Sequence, residues 1–470
     1  MMHFSNPLTS LPSVESILNE HSVTQHIDSL GRPFVTSKIR KILENIRGEL
    51  VGNPQNQADR ADIIQSVIKQ LDIDMAEHCR KFFTRVVNAT GIILHTGLGR
   101  AVLAKSAMER VAEEMNFYSR LQIDLETGLR SRRDERIEYL VKYLTGGQSA
   151  TVVNNNAAAT ALVLNTVGKG REIIVSRGQL VEIGGSFRLP EVMAASGAKL
   201  VEVGSTNKTH AYDYRNAINE NTAAIMRVHP SNYRIIGFTA EVELSELVAI
   251  AHAHDLPLID DIGAGALIDF SQFGFDYEPT IMDSINNGAD IVTCSCDKLI
   301  GGPQGGLIIG KSSLVEKCRK NPLSRVVRVD KFTLALLEAT LELFFNPQRA
   351  LAEIPTLAML SRDIAELDSQ ARRIVSAVSE QVPDAGLQII DGFSQMGSGS
   401  LPSQQLPTKL VAIKARISES DVVRNLRHAK PIPVIARVQD GQSLIDPRTL
   451  LDGDEQVVIS ALVSVLSANA

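Results

Sequence analysis

Apolar residues recur along this chain at two different spacings, and the change from one to the other divides it. In FVTSKIRKILENIRGEL, residues 34–50, Ile39, Ile42, Leu43, Ile46 and Leu50 fall on one helical stripe behind a Thr36/Ser37 cap. The spacing predicts a helix and, with its surroundings, a small helical domain over residues 1–80. Its polar face carries Lys38, Arg40, Lys41 and Arg47, which reads either as a solvated face or as a contact for RNA. The polar stretch GNPQNQADR at 52–60 predicts the connection to the next helix.

From about residue 85 the texture becomes short apolar runs, ATVV, REIIVS, AKLVEVG, AAIMRVH, PLIDDI, DIVTCS and GLIIG, separated by helix-length segments with Gly, Pro or Asn at the joints. This alternation predicts an α/β domain over 81–330 with a doubly wound, mostly parallel sheet. Uninterrupted apolarity in IIVS and IVTC says that helices cover both faces of those strands. Ligands of such sheets collect at the carboxyl ends of the strands. Beyond Lys331, FTLALLEATLELFF predicts a helix that links the sheet to a smaller C-terminal α+β domain, within 331–470.

Composition narrows the possibilities. At roughly 150 residues per domain, 470 residues allow about three domains. With 44% hydrophobic residues, 22% charged residues and a net charge of −6, a globular protein is expected and any nucleic-acid contact must be local. Cys79, Cys294, Cys296 and Cys318 form no CxxC pair, so neither a metal site nor a disulfide framework is expected, and a reducing cytoplasm fits best. The opening MMHFSNPLTSLPSVES lacks a basic segment followed by an apolar core, and no run approaches about 18 apolar residues, so neither export nor a membrane is expected.

The candidate chemistry lies at three strand ends. In TCSCDKLIGGPQGG, Lys298 follows the strand DIVTCS, beside Ser295 and Asp297 and ahead of glycines that let backbone approach an anion. A lysine there can form a Schiff base. In LPLIDDIGAG a strand ends in Asp260 and Asp261, and a carboxylate there can keep a pyridinium nitrogen protonated. In TVVNNNAAATALVL a strand, an Asn turn and a helix start follow one another, offering free amides to a phosphate. Pyridoxal phosphate needs these three elements, and their order on successive strands is a stronger signal than any one alone. Gly305, Gly310, Lys311 and Ser312 also satisfy the P-loop expression, but the filler GLII is a strand where a phosphate loop must be flexible.

On NATGIILHTGLGRA (88–101), VVNNNAAA (152–159), VSRGQLVEIGGSFRLPEVM (175–193), EVGSTNKTHAYDY (202–214), VHPSNYRIIGFT (228–239), CDKLIGGPQGG (296–306), SRVVRVDKFTLALLEATL (324–341) and SQMGSGSLP (394–402), the sequence resembles the bacterial selenocysteine synthases, the L-seryl-tRNA(Sec) selenium transferases, along essentially its whole length. The resemblance implies a fold type I pyridoxal 5'-phosphate (PLP) enzyme. Such an enzyme eliminates water from serine carried on tRNA(Sec), adds selenium from selenophosphate, and assembles as a homo-oligomeric ring of dimers. It makes Lys298 the cofactor lysine, with a second role as general base, and Asp261 the ring-nitrogen partner, although the doublet with Asp260 leaves open which carboxylate faces the ring. It places Asn155, Asn156 and Ala157 in the phosphate turn and Ser295 beside the cofactor. Arg100, Arg325 and Arg328 match arginines of the selenophosphate pocket, where guanidinium forks suit an oxyanion. Arg130, Arg132, Arg133 and Arg136 could serve the site, a subunit contact or RNA, and Arg437 has an open role. Gly97 and Cys296 depart from the family's common Asn and Gly; Cys294 and Cys296 read as small buried hydrophobes. A related PLP lyase or racemase acting on a free small amino acid or amino sugar acid would share the sheet and Lys298 but has little need of residues 1–80. A dehydrogenase would want G-x-G-x-x-G where NNNAAA stands.

Overall fold

The computed structural model describes residues 7–52, 59–185 and 187–467. Most of the polar connection at 52–60, and Ser186 within the 175–193 stretch, lie outside the described residues. The chain forms two compact units that divide between Arg85 and Val86.

The first unit is helical, with Val14–Leu18, His21–Leu30, Arg32–Gly52 and Arg60–His78. Its core is built from Ile17, Val35, Ile39, Ile42, Leu50, Val67, Leu71 and Met75. The predicted stripe is real: Ile39, Ile42 and Leu50 are buried and Leu43 and Ile46 half-buried. The cap is not at Thr36/Ser37, because the helix starts at Arg32, where Gly31 at φ +86° breaks from the preceding helix and Pro33 fits the first turn. Arg40, Lys41 and Arg47 are exposed.

The second unit contains a seven-stranded sheet from the seven apolar runs: β1 (Ser149–Val153), β2 (Glu172–Ser176), β3 (Lys199–Val203), β4 (Thr222–Val228), β5 (Leu258–Gly263), β6 (Ile291–Ser295) and β7 (Gly306–Gly310). Their spatial order is β1-β7-β6-β5-β4-β2-β3. β2 to β6 pair in parallel, whereas β7 runs antiparallel to both its neighbours, β1 and β6. Alternate residues feed two cores: Leu307 and Ile309 of β7 join one cluster and Ile308 the other, as a sheet covered on both faces requires.

The helix Lys331–Leu343 then leads to a four-stranded antiparallel sheet, Leu387–Gly397, Ser400–Ile413, Gln442–Ile445 and Arg437–Gln439, backed by Ile364–Gln381, Glu419–Arg427 and Asp454–Ser467. Residues just after Arg85 belong with this part rather than with the large sheet. Val87–Asn88 pairs in parallel with Val434–Ile435, and the Leu94 amide donates to Met396 O. Gly91, at φ +74°, makes this possible, since a Cβ there would lie 1.9 Å from Asp446 Oδ2. Among the described residues no helix is long and apolar enough to cross a membrane.

Candidate active site

The carboxyl ends of β4, β5 and β6 and the turn after β1 surround a cavity of about 280 Å³, lined by Asn155, Asn156, Ala157, Asp261, Ser295 and Lys298 among others. Lys298 is 6% exposed and makes no ion pair among the described residues. Burial holds its ammonium below the ordinary lysine range, with the Arg100 charge acting in the same direction, although Asp297, Asp261 and Glu278 oppose them. The amine is thereby closer to the neutral form a nucleophile or base requires.

The acidic doublet is resolved by the pleat. Residues adjacent on a strand point to opposite faces, and here Asp260 accepts from Arg227 Nη1 at 3.1 and 3.2 Å and from Ser284 Oγ at 2.7 Å. Asp261 turns to the cavity, where Oδ1 accepts from Asn156 Nδ2 at 2.8 Å and Oδ2 from Thr160 Oγ1 at 2.9 Å. Desolvation pushes the Asp261 carboxyl up from its ordinary value, outweighing the bonds from Asn156, Thr160 and the Gly263 amide. Asn155 caps the helix Asn156–Gly168 by accepting from the Ala158 amide at 2.9 Å, so the helix opens with its free amides at the cavity wall. β7 passes close to this turn only because residue 306 is glycine; a Cβ there would sit 2.2 Å from Asn155 O.

Arg100 also lines the cavity, in the left-handed region at φ +63°, with Nη1 2.6 Å from Asp297 Oδ2. Arg325 and Arg328 are elsewhere. Arg328 forms an isolated bridge with Val153 and lines a second cavity with Arg132 and Arg133. Arg325 and Arg328 make no salt bridge among the described residues, and with Arg130 they form a cationic cluster that, after burial, depresses the Arg133 guanidinium. Arg132 and Arg136 are tied to Glu138 and Glu342 respectively. Arg437 donates to Phe393 O and lies 3.8 Å from the buried Asp446, a structural tie in the C-terminal part. Cys294 and Cys296 are fully buried, and burial raises both thiols. Cys296 Sγ fits because Gly305 has no Cβ, which would come within 3.1 Å. The P-loop alternative has no loop, since GLII lies in β7 and Lys311 pairs with Asp290.

The sequence reading missed His229 and Ser231 in the cavity wall and Glu278 behind His229. The signal available was HPS directly after the strand AAIMRV, at a carboxyl end where ligands bind.

The residues fit pyridoxal phosphate. A helix N-terminus, a buried carboxylate and a buried amine share one cavity, whose wall also holds buried polar atoms with no partner among the described residues, Asn156 Oδ1, Ser231 Oγ and Arg100 Nε.

Comparison with known proteins places the chain. A family profile described as L-seryl-tRNA selenium transferase matches residues 86–451. The L-seryl-tRNA(Sec) selenium transferase of Desulfomicrobium baculatum is 44% identical over 458 residues, 97% of this chain and 98% of that one. Those of Clostridium botulinum (strain Okra / Type B1) and Alkaliphilus oremlandii are each 42% identical over 462 residues, covering 98% and 97% of this chain and 98% of each relative. Among solved structures, D-glucosaminate-6-phosphate ammonia-lyase aligns with a TM-score of 0.59 at 21% identity, over 84% of this chain and 98% of that one, a likeness of fold. The architecture is the fold type I α/β class.

Proposed function

The chain belongs to the L-seryl-tRNA selenium transferase family, and on that premise we propose that it converts seryl-tRNA(Sec) to selenocysteinyl-tRNA(Sec) with selenophosphate as selenium donor. It is a PLP-dependent enzyme. The observation that carries the site assignment is the convergence of the buried Lys298 amine, the Asp261 carboxylate and the amides after Asn155 on one cavity.

In this reading Asn155, Asn156 and Ala157 hold the cofactor phosphate, Asp261 its ring nitrogen and Lys298 its aldehyde carbon. When bound, PLP supplies an electron sink for negative charge at the substrate α-carbon. Asp261, as a carboxylate held in place by Asn156 and Thr160, would keep a proton at the ring nitrogen, the cationic ring offsetting the desolvation that raises the carboxyl. Lys298 Nζ takes the α-proton, which its depressed basicity allows near neutral pH. Ser295, 7% exposed at the end of β6, packs the cofactor's side of the cavity. Arg100 supplies one guanidinium for an incoming oxyanion. Because Arg325 and Arg328 do not line the Lys298 cavity of their own chain, their selenophosphate role calls for a second copy, in keeping with a ring of dimers. The exposed Arg40, Lys41 and Arg47 make the helical unit the tRNA contact, and charged tRNA sets the place of action in the cytoplasm. The alternative of a lyase or racemase on a free amino acid is less well supported, since the 21% identical ammonia-lyase shares the fold alone whereas relatives at 42–44% are named as selenium transferases.

The test is an absorption spectrum with and without seryl-tRNA(Sec), followed by selenium transfer, for wild type and Lys298→Ala. We expect a lysine-bound cofactor band that borohydride fixes in the wild type only, and transfer lost by at least about 1,000-fold in the variant. An unchanged spectrum and rate in Lys298→Ala would refute the assignment.

A further inference from the structure

His229 follows β4 directly, and its amide donates to Asp261 O at 2.8 Å, which sets its side chain at the wall of the Lys298 cavity. Its Nε2 lies 3.2 Å from Glu278 Oε1, the two side chains being 18% and 7% exposed. Among the described residues no other side chain is paired with that carboxylate, and the second imidazole nitrogen has no partner. Glu278 is also near enough for its charge to act on the Lys298 ammonium. Beside this pair, Ser231 Oγ is buried with no partner among the described residues, and Ser231 lines the same cavity.

A carboxylate so little exposed requires a cationic or hydrogen-bonding partner. A tie between β4 and the loop before Thr280 could have been made anywhere along the strand, yet it is made by an imidazole that opens on the cavity. A carboxylate behind an imidazole fixes its orientation, leaving the far nitrogen to exchange a proton with whatever stands before it.

The reaction proposed above contains a step for which Lys298 alone is poorly suited. While Lys298 Nζ accepts the α-proton, the β-oxygen must leave, and hydroxide is a poor leaving group. We propose that His229, positioned by Glu278, donates the proton with which the seryl β-hydroxyl departs as water. The Cβ–O bond breaks with its electron pair going to oxygen, and the oxygen takes the proton of His229. The pair left at the α-carbon closes the Cα=Cβ bond to which selenium later adds. His229, left neutral, regains a proton from solvent through its exposed edge. This assignment rests on the function proposed above.

The experiment compares seryl-tRNA(Sec) with β-chloroalanyl-tRNA(Sec), whose chloride leaves without a proton, in wild type, His229→Asn and Glu278→Gln holoenzymes without selenium donor. His229→Asn should slow elimination of water by about 100-fold or more while elimination of chloride stays within about threefold of wild type. Glu278→Gln should show a smaller loss in the same ratio, with Glu278→Asp partly restoring it. The cofactor's absorbance band and dissociation constant should be unchanged in all variants, separating proton donation from cofactor binding. Equal loss with both substrates, loss with neither, or a weakened cofactor complex would overturn the assignment. A wild type that eliminates from neither substrate overturns the selenium-transfer reading itself, and this inference with it.

Discussion

The two neighbouring aspartates show how much a single position decides. Asp260 is buried against Arg227 and Ser284, so Asp260→Asn leaves an uncompensated guanidinium and should destabilise the fold by about 3–5 kcal/mol. Asp261→Asn should instead abolish transfer while the chain stays folded. The carboxyl of Asp261 has a folded value above its unfolded one, so the folded state retains a proton that the unfolded chain has released. Its contribution to stability is therefore present at low pH and lost as pH rises through the folded value. Thermal melts of cofactor-free protein should show Asp261→Asn gaining on wild type as pH rises through that range, and parallel pH curves would contradict it. The sequence displayed the doublet, but two adjacent acids on a strand differ only in which face they meet. That phase was set by Arg227, in register on the neighbouring strand and invisible as a partner in one dimension. His229 was hidden for a similar reason, since Glu278 comes from a loop far along the chain.

At the level of elements, all seven strands could be read from their apolar runs, because most are covered on both faces and carry no polar alternation to blur the signal, the part-exposed edge strand β3 being the exception. The direction of β7 could not be read from hydrophobicity, which has no sense of direction. The short connection from Lys298 to Gly306 is what reverses it, being too brief for a helical crossover. That reversal brings β7 against the Asn155 turn, where Gly306→Ala would drive a Cβ into Asn155 O. We expect this substitution to cost about 1–3 kcal/mol and to weaken cofactor binding by about tenfold or more, measured by cofactor titration. Undiminished binding would show that the turn tolerates displacement. The helix at Arg32–Gly52 was legible as a stripe but not in its start, since Thr36 and Ser37 are good caps that Gly31 and Pro33 pre-empt.

For the whole molecule, the helical unit before Val86 has its own core, so its surface can be altered without touching the sheet. Arg40→Glu, Lys41→Glu and Arg47→Glu together should lower affinity for seryl-tRNA(Sec) by about tenfold or more, with a shallower salt dependence, and leave the cofactor spectrum intact. Unaltered affinity would remove this face from the RNA contact. The sequence could name Arg100, Arg325 and Arg328 but not that only Arg100 among the three lines the Lys298 cavity, because resemblance carries residue identity and not position in space. The sheet itself has a consequence for how the cavity comes into being. β6 and β7 form a local hairpin around Lys298, cheap in loop-closure entropy, whereas Val153 meets Gly306 only after the chain between them has folded. The lysine's half of the cavity can therefore form early and the Asn155 turn late, so the cavity proposed for the cofactor is complete only once the edge strand β1 has docked.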